Sequence, residues 1–242
     1  MHILITGASS GIGLITAEAL LEAGHQVTVA ARRYDRFAPL QAMYGPEFLF
    51  PVKADLRVEQ ELENLVREAR ATFGPIDVLI NNAGISRGPG WHQDVRSMDV
   101  VQLNLMAAIR LTQMVLPDML ERKQGHIINM GSVAGQVPVS TLYSASKFGL
   151  RGFSLALRRE LLGTGVHVSL IAPGFVETDM TAKRKVPKIP PGKVAELILK
   201  LLKHPRAEVV IPGYYKILIT LEQVFPGFGD FLVRRRQMLE TT

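Results

Sequence analysis

Tyr143 and Lys147 are the two residues whose types and spacing most directly suggest chemistry, in the stretch Tyr143-Ser-Ala-Ser-Lys147. Residues four apart share one face of a helix, so a helix here would hold the Lys147 ammonium beside the Tyr143 phenol. A nearby positive charge favours the phenolate and lowers the pKa of a tyrosine. The pair therefore predicts a general acid/base whose pKa is shifted toward neutral pH.

A glycine-rich loop near the N-terminus gives an independent reason to expect a nucleotide. Gly7, Gly11 and Gly13 follow an apolar run and open a helical pattern. Glycines at such a turn let the backbone approach a pyrophosphate, and the helix N-terminus offers free N–H groups to the anion. The spacing is Gly-x-x-x-Gly-x-Gly, not the common Gly-x-Gly-x-x-Gly. A plain glycine-rich turn is the alternative.

The end of the second predicted strand indicates which dinucleotide binds. NAD sites usually carry an acidic residue there for the ribose 2′-OH, whereas this chain has Ala31, Arg32 and Arg33. A guanidinium pairs well with a phosphate, so the sequence favours NADP(H), with Ser9 as a further hydroxyl for the 2′-phosphate. The alternative is that both arginines are solvated loop charges.

Short apolar runs alternate with helical patterns along the chain. The predicted strands are 2–6, 26–31, 48–52, 77–81, 126–130, 166–171 and 208–211, and the predicted helices are 12–23, 58–73, 99–122, 142–161 and 192–203. This alternation predicts an α/β, Rossmann-like, doubly wound and mostly parallel sheet of seven strands, with helices on both faces. Ligands bind beyond the carboxyl ends of such strands, where most of the motifs fall.

Length and composition limit the function classes. The chain of 242 residues suits a single dinucleotide-binding and catalytic domain over 1–242, with 213–242 as an apolar and basic helical extension. It has no cysteine, which excludes disulfides and thiolate ligands, and its six histidines are scattered, so we expect no metal site. No base-reading motif accompanies the net charge of +6, so we expect no nucleic-acid partner.

The ends of the chain bear on its location. Met1 leads straight into an apolar run without a charged leader or cleavage site, and no stretch of transmembrane length is free of charge or proline. We therefore expect a cytoplasmic protein. The basic character is concentrated near the other end, where residues 183–242 hold 12 Lys/Arg against 5 Asp/Glu.

The C-terminal extension combines apolar and basic residues. They are Tyr214, Tyr215, Ile217, Leu218, Ile219, Leu221, Phe228, Phe231, Leu232, Val233, Arg234, Arg235 and Arg236, interrupted at Pro226-Gly227. This pattern is typical of peripheral contact with an anionic membrane, and it is too short to span one. The alternatives are packing on the domain, a cover for the substrate pocket, or a homo-oligomer interface.

Taken together, these residues resemble the classical short-chain dehydrogenase/reductase family over nearly the whole chain. The matching motifs are residues 6–13, Asp55-Leu56, Asn81-Asn82-Ala83-Gly84, the set Asn104, Ser132, Tyr143 and Lys147, and Pro173-Gly174-Phe175-Val176-Glu177-Thr178. The resemblance and the loop analysis together predict cofactor contacts from Gly7, Ser9, Gly11, Ile12, Gly13, Arg32, Arg33, Asp55, Leu56, Asn82, Ala83, Gly84, Tyr143, Lys147, Pro173, Gly174, Val176 and Thr178.

The resemblance also implies a reaction, in which hydride passes between the nicotinamide and a carbonyl or alcohol carbon. Tyr143 would exchange a proton with the substrate oxygen, and Lys147 would lower the pKa of Tyr143 and bind the nicotinamide ribose. Ser132 would polarise the carbonyl, and Asn104 would hold a water that links Lys147 to solvent. The interval of eleven residues from Ser132 to Tyr143 is shorter than is usual in the family, and Gly131 stands where a second serine is common.

The sequence therefore predicts an NADP(H)-dependent carbonyl reductase or alcohol dehydrogenase that acts as a homo-oligomer on apolar ketones or aldehydes. Met180, Val186 and Ile189 are expected in a flexible pocket wall. The alternative substrate has an acidic group, such as a phosphate or carboxylate on a carrier, which the basic residues in the same segment would attract; they are Lys183, Arg184, Lys185 and Lys188. A protein that senses NADP(H) without turnover is the alternative function.

Overall fold

The computed structural model describes residues 1–87, 90–225, 227 and 229–230. Its strands are β1 (His2–Thr6), β2 (Gln26–Ala31), β3 (Leu49–Lys53), β4 (Val78–Asn81), β5 (Gly125–Met130), β6 (Val166–Pro173) and β7 (Glu208–Ile211). These seven form one sheet in the order β3-β2-β1-β4-β5-β6-β7, and every neighbouring pair is parallel. The predicted doubly wound, Rossmann-like sheet is confirmed.

Helices connect the strands and cover both faces of the sheet. They are α1 (Gly11–Glu22), α2 (Ala38–Tyr44), α3 (Glu59–Phe73), α4 (Asp99–Val101), α5 (Ala107–Glu121), α6 (Thr141–Glu160), α7 (Pro191–Lys203) and α8 (Tyr215–Val224). A π-helical turn, Gln102–Met106, joins α4 to α5. The pattern analysis missed α2, because its seven residues are too short to show a helical period; buried Leu40 holds it on the core.

The core lies in two layers, one on each face of the sheet. On one face the apolar sides of α1 and α7 pack on the strands, with Leu20 and Ile198 fully buried. On the other face α3 and α5 contribute the buried Leu65 and Leu111. Because the strand order reverses between β1 and β4, the loops that follow these strands diverge and leave a crevice between them.

One helical segment among the described residues, Asp99–Glu121, is long and apolar enough to cross a membrane by length and composition. In the structure this segment flanks the sheet, and Leu111, Val115 and Met119 on its inner face are buried in the core. Packing on the sheet accounts for its apolar composition.

The extension predicted for 213–242 begins as α8, which follows β7 directly. This helix ends at Val224, immediately before the predicted interruption at Pro226-Gly227. Pro226, Phe228 and residues 231–242, including the three consecutive arginines of the predicted tail, lie outside the described residues.

Candidate active site

The glycine loop after β1 has a conformation that favours glycine at its key positions. Gly7 and Gly11 adopt φ of 66° and 55°, and a Cβ on Gly13 would lie 2.4 Å from the Gly7 carbonyl oxygen. The Asn82 side chain, from the loop after β4, donates hydrogen bonds to the Thr6 and Gly7 carbonyl oxygens at 2.9 and 3.1 Å. The two loops on either side of the crevice therefore fix each other.

The end of β2 provides positive charge and no carboxylate. Arg32 and Arg33 are exposed, and Arg33 Nη2 donates a hydrogen bond to Ser10 Oγ at 2.8 Å. This contact ties the arginine pair to the glycine loop, and Ser10 is a residue that the sequence analysis missed. The arrangement fits a phosphate on the ribose 2′ oxygen, because guanidinium and hydroxyl donors both face that region.

Asp55 stands across from these arginines and is itself neutralised. Arg57 binds both of its carboxylate oxygens, with an Nη2–Oδ2 distance of 2.6 Å, and Arg57 also contacts Asp99. The hydrogen bonds from Arg57 lower the pKa of Asp55 against the opposing effect of burial, and Arg32 adds to the lowering. The ionised Asp55 is thus paired with Arg57, which offsets its charge toward a phosphate bound at the end of β2.

Two adjoining cavities at the carboxyl edge of the sheet gather the predicted site. The first cavity is lined by Gly7, Ser10, Gly11, Ile12, Gly13, Asn82, Gly84, Met130, Gly131, Ser132, Tyr143, Lys147, Pro173, Gly174, Val176, Thr178, Asp179, Met180 and Thr181. The second cavity is lined by Gly7, Ser9, Ser10, Ala30, Ala31, Arg32, Arg33, Ala54, Asp55, Leu56, Ala83, Gly84, Ile85 and Leu103. They share Gly7, Ser10 and Gly84, and every residue predicted to contact the cofactor lines one or both.

Helix α6 presents Tyr143 and Lys147 to the first cavity on the same face, as their spacing predicts. Lys147 is buried, and its Nζ donates a hydrogen bond to the Met130 carbonyl oxygen at 2.8 Å. Nζ also lies 5.9 Å from the centre of the Tyr143 ring. Burial lowers the pKa of Lys147 to about 8, because the ammonium has little solvation there.

The pKa of Tyr143 does not follow the sequence-based expectation. Burial raises it, because the phenolate is the poorly solvated form, and the Ser132 side chain acts in the lowering direction. The expected lowering by Lys147 is therefore wrong for this structure. The Lys147 ammonium binds the Met130 carbonyl, and desolvation of the phenol dominates.

Ser132 follows β5 and caps the short 3₁₀ turn Val133–Gly135. Its Oγ accepts a hydrogen bond from the Ala134 backbone N–H at 3.1 Å. A hydroxyl that accepts here keeps its own hydrogen for donation into the first cavity, which Tyr143 also lines. This geometry suits a donor to a carbonyl oxygen.

Asn104 lies in the π-helical turn between α4 and α5 and is buried. Its Oδ1 accepts from the Ile85 N–H at 2.8 Å, and its Nδ2 donates to the Ile85 carbonyl at 2.9 Å and to Ser146 Oγ at 3.1 Å. Ser146 Oγ in turn donates to the Tyr143 carbonyl at 2.7 Å. Asn104 thus ties the loop after β4 to the first turn of α6, a link through Ser146 that the sequence analysis missed.

The segment after β6 closes one side of the first cavity. Val176 pairs with Ile189, and a Cβ on Gly11 would lie 2.9 Å from Thr178 Cγ2, so this segment sits against the glycine loop. Met180 lines the cavity as predicted. Ile189 pairs with Val176 and packs against the core, and neither Ile189 nor Val186 lines the two cavities, so their part in a pocket wall stays a prediction.

Comparison with known proteins agrees with this geometry. The family model described as short chain dehydrogenase matches residues 1–188. The "Ketoacyl reductase HetN" of Nostoc sp. is 35% identical over 96% of this chain and 88% of that protein. The "NADP-dependent 3-hydroxy acid dehydrogenase YdfG" of Salmonella typhi is 39% identical over 73% of each chain. The chain therefore belongs to the short-chain dehydrogenase family.

Two similar solved structures contain NADP+ or NADPH. A serine dehydrogenase "complexed with NADP+" is 30% identical with a TM-score of 0.81, covering 87% of this chain and 94% of that one. An actinorhodin polyketide ketoreductase "with NADPH" is 32% identical with a TM-score of 0.79, covering 88% and 95%. Together with the arginine pair at the end of β2, these relatives identify the cofactor as NADP(H).

Proposed function

We propose that this protein is an NADPH-dependent carbonyl reductase, equivalently an alcohol dehydrogenase in the reverse direction. The observation that carries the proposal is the convergence of Tyr143, Lys147 and Ser132 on the cavity that the glycine loop also lines. Carbonyl reduction requires a proton donor, a cation and a hydroxyl donor close to the bound dinucleotide. All three groups lie beside the glycine loop.

Tyr143, Ser132 and Lys147 have separate roles in the proposed reaction. When bound, NADPH supplies the hydride that reaches the carbonyl carbon. The Tyr143 phenol donates its proton to the carbonyl oxygen, which becomes the alcohol, and Ser132 donates a hydrogen bond to the same oxygen. The buried Lys147 ammonium can return a proton to the phenolate that remains, since burial lowers the pKa of Lys147 to about 8, near neutral.

For the substrate we propose a ketone or aldehyde with an apolar chain. Met130, Val176 and Met180 contribute apolar side chains to the first cavity. Two of the similar proteins bear names that refer to keto substrates, a ketoacyl reductase and a polyketide ketoreductase. A sensor without turnover is less consistent with the site, because both Tyr143 and Lys147 are present and directed into the cavity.

The experiment is NADPH consumption with a panel of apolar ketones, aldehydes, 3-ketoacyl thioesters and 3-keto acids. Turnover of the apolar compounds supports the proposal. Turnover confined to acidic or carrier-bound substrates contradicts the apolar substrate, and NADPH binding without turnover of any member favours a sensor.

We further propose that the protein is cytoplasmic and contacts anionic membrane surfaces through α8. One stripe of the helix and its flanks exposes apolar side chains, namely Tyr214, Ile217, Leu218, Leu221, Val224 and Phe225, at 37–66% exposure. An exposed apolar stripe in a basic part of the chain suits the membrane interface. Sedimentation with anionic vesicles, comparing the wild type with Ile217→Glu, tests this. Equal sedimentation of the two proteins would contradict membrane contact through α8, and loss of a dimer in Ile217→Glu would instead support a homo-oligomer interface.

A further inference from the structure

Helix α8 packs on the carboxyl end of the sheet, beside the first cavity. Ile219, on its inner face, is 5% exposed and forms a cluster with Ala172 of β6 and Val210 of β7. Tyr215, one turn earlier on the same face, packs against this cluster, as do Val133 and Val137. Because these two valines lie in the loop that Ser132 begins, the cluster joins that loop, α8 and the end of β6.

Tyr215 also lies directly on the backbone of Gly174. A Cβ built on Gly174 would be 2.1 Å from Tyr215 Cε2 and 2.7 Å from Cζ, far inside van der Waals contact. Gly174 cannot move away freely, because its N–H donates to the Ile211 carbonyl oxygen at 2.8 Å. The glycine at this position is therefore matched to the tyrosine ring.

We infer that Tyr215 is a positioning residue, which holds residues 173–176 at the wall of the first cavity and so fixes the nicotinamide half of the cofactor site. This inference rests on the proposed reductase function. Pro173, Gly174 and Val176 line the first cavity, whereas none of residues 173–176 lines the second cavity. Loss of the Tyr215 ring should therefore affect the two halves of the dinucleotide unequally.

The first test compares two ligands on one set of variants. Tyr215→Ala should weaken NADPH binding by about tenfold, and leave the binding of adenosine 2′,5′-bisphosphate, which occupies only the adenosine half, within about twofold of the wild type. Tyr215→Phe keeps the ring and loses only the hydroxyl, which contacts the Phe175 backbone, so its NADPH affinity should lie nearer to that of the wild type than to that of Tyr215→Ala. Ile217→Ala, on the exposed side of the same helix and 66% exposed, is the matched control. Equal loss for both ligands, or no loss for either, would overturn the inference.

The second test uses Gly174. Gly174→Ala alone should weaken NADPH binding, because the new methyl group clashes with the Tyr215 ring. In a Tyr215→Leu background the clash is relieved, so the additional effect of Gly174→Ala should shrink. An effect of the same size in both backgrounds would contradict the direct contact, and this comparison remains available if Tyr215→Ala does not fold.

These readouts are binding measurements, so they separate the two claims. A wild-type protein that binds NADPH and reduces no carbonyl compound would contradict the proposed function. The inference about Tyr215 would then still be tested by how much the Tyr215 variants lose in affinity for NADPH compared with adenosine 2′,5′-bisphosphate.

Discussion

The Lys147 ammonium lies 5.9 Å from the centre of the Tyr143 ring and donates its hydrogen bond to the Met130 carbonyl oxygen at 2.8 Å. Burial moves the two pKa values in opposite directions, to about 8 for Lys147 and above the ordinary value for Tyr143. Tyr143 therefore remains protonated at neutral pH. A protonated phenol is the form that donates to a carbonyl oxygen, as the proposed reduction requires.

Cofactor preference should depend on Arg32. Arg32→Asp removes a cation from the wall of the second cavity and adds a carboxylate, which repels a 2′-phosphate and accepts a ribose hydroxyl. We expect NADPH affinity to fall by about 10–100-fold, as for loss of a charge-assisted contact, and NADH affinity to rise. Dissociation constants for both cofactors measure this.

The control for that experiment is Arg36→Asp, which makes the same charge change at a nearby exposed position that lines neither cavity. It should leave the preference unchanged. Equal affinity of the wild type for NADH and NADPH would contradict the role of the arginine pair.

A matched pair of glycine substitutions tests the role of the glycine loop in cofactor binding. Gly13→Ala places a methyl group 2.4 Å from the Gly7 carbonyl oxygen, and the loop must shift to accept it. We expect a loss of about 1–3 kcal/mol in the free energy of unfolding and a loss of NADPH binding. Urea unfolding with and without NADPH gives both quantities.

Gly152→Ala makes the same chemical change in α6, where a Cβ meets open space. It should stabilise the protein by about 0.5–1 kcal/mol, because alanine favours the helix, and it should leave NADPH binding intact. If Gly13→Ala bound NADPH as well as Gly152→Ala does, the proposed binding of NADPH by the glycine loop would be wrong.

The buried Lys147 predicts a stability change with pH. Its pKa is about 8 in the folded protein and near 10.5 when unfolded, so between these values the unfolded chain binds more protons. The free energy of unfolding should therefore rise from pH 8 to pH 10, by up to about 2 kcal/mol from this group. Above pH 10 the raised pKa of Tyr143 acts in the opposite direction, because the folded protein then retains the phenol proton.

Lys147→Met should remove this rise, and Lys216→Met, a change at an exposed lysine on α8, should keep it. Urea unfolding at several pH values provides the comparison. A rise of the same size in Lys147→Met would show that the burial of Lys147 is not its source.

The sheet and the placement of the motifs were predictable from sequence because both depend on local patterns. Continuous apolar runs mark strands buried on both faces, and parallel strands bring the residues that follow them to one edge. The glycine loop, Asn82, Ser132 and the 173–178 segment each follow a strand directly. Their convergence thus required only the correct topology.

The contacts that tune the site were not predictable in the same way. The hydrogen bond of Lys147 goes to a backbone carbonyl, which no residue type marks, and Tyr215 reaches Gly174 only through the path of α8. The prediction that the pKa of Tyr143 is lowered was wrong for a related reason. Spacing alone identified the neighbouring cation, whereas the extent of burial, which dominates, is a property of the folded structure.

The central claim is that Tyr143 transfers the proton in an NADPH-dependent carbonyl reduction. It is tested most directly by NADPH consumption of the wild type and of Tyr143→Phe on the best substrate of a carbonyl panel, with NADPH dissociation constants for both. The variant lacks only the phenolic hydroxyl, so we predict unchanged NADPH affinity and turnover lower by about 10²–10⁴-fold. Turnover of Tyr143→Phe near that of the wild type would contradict the account.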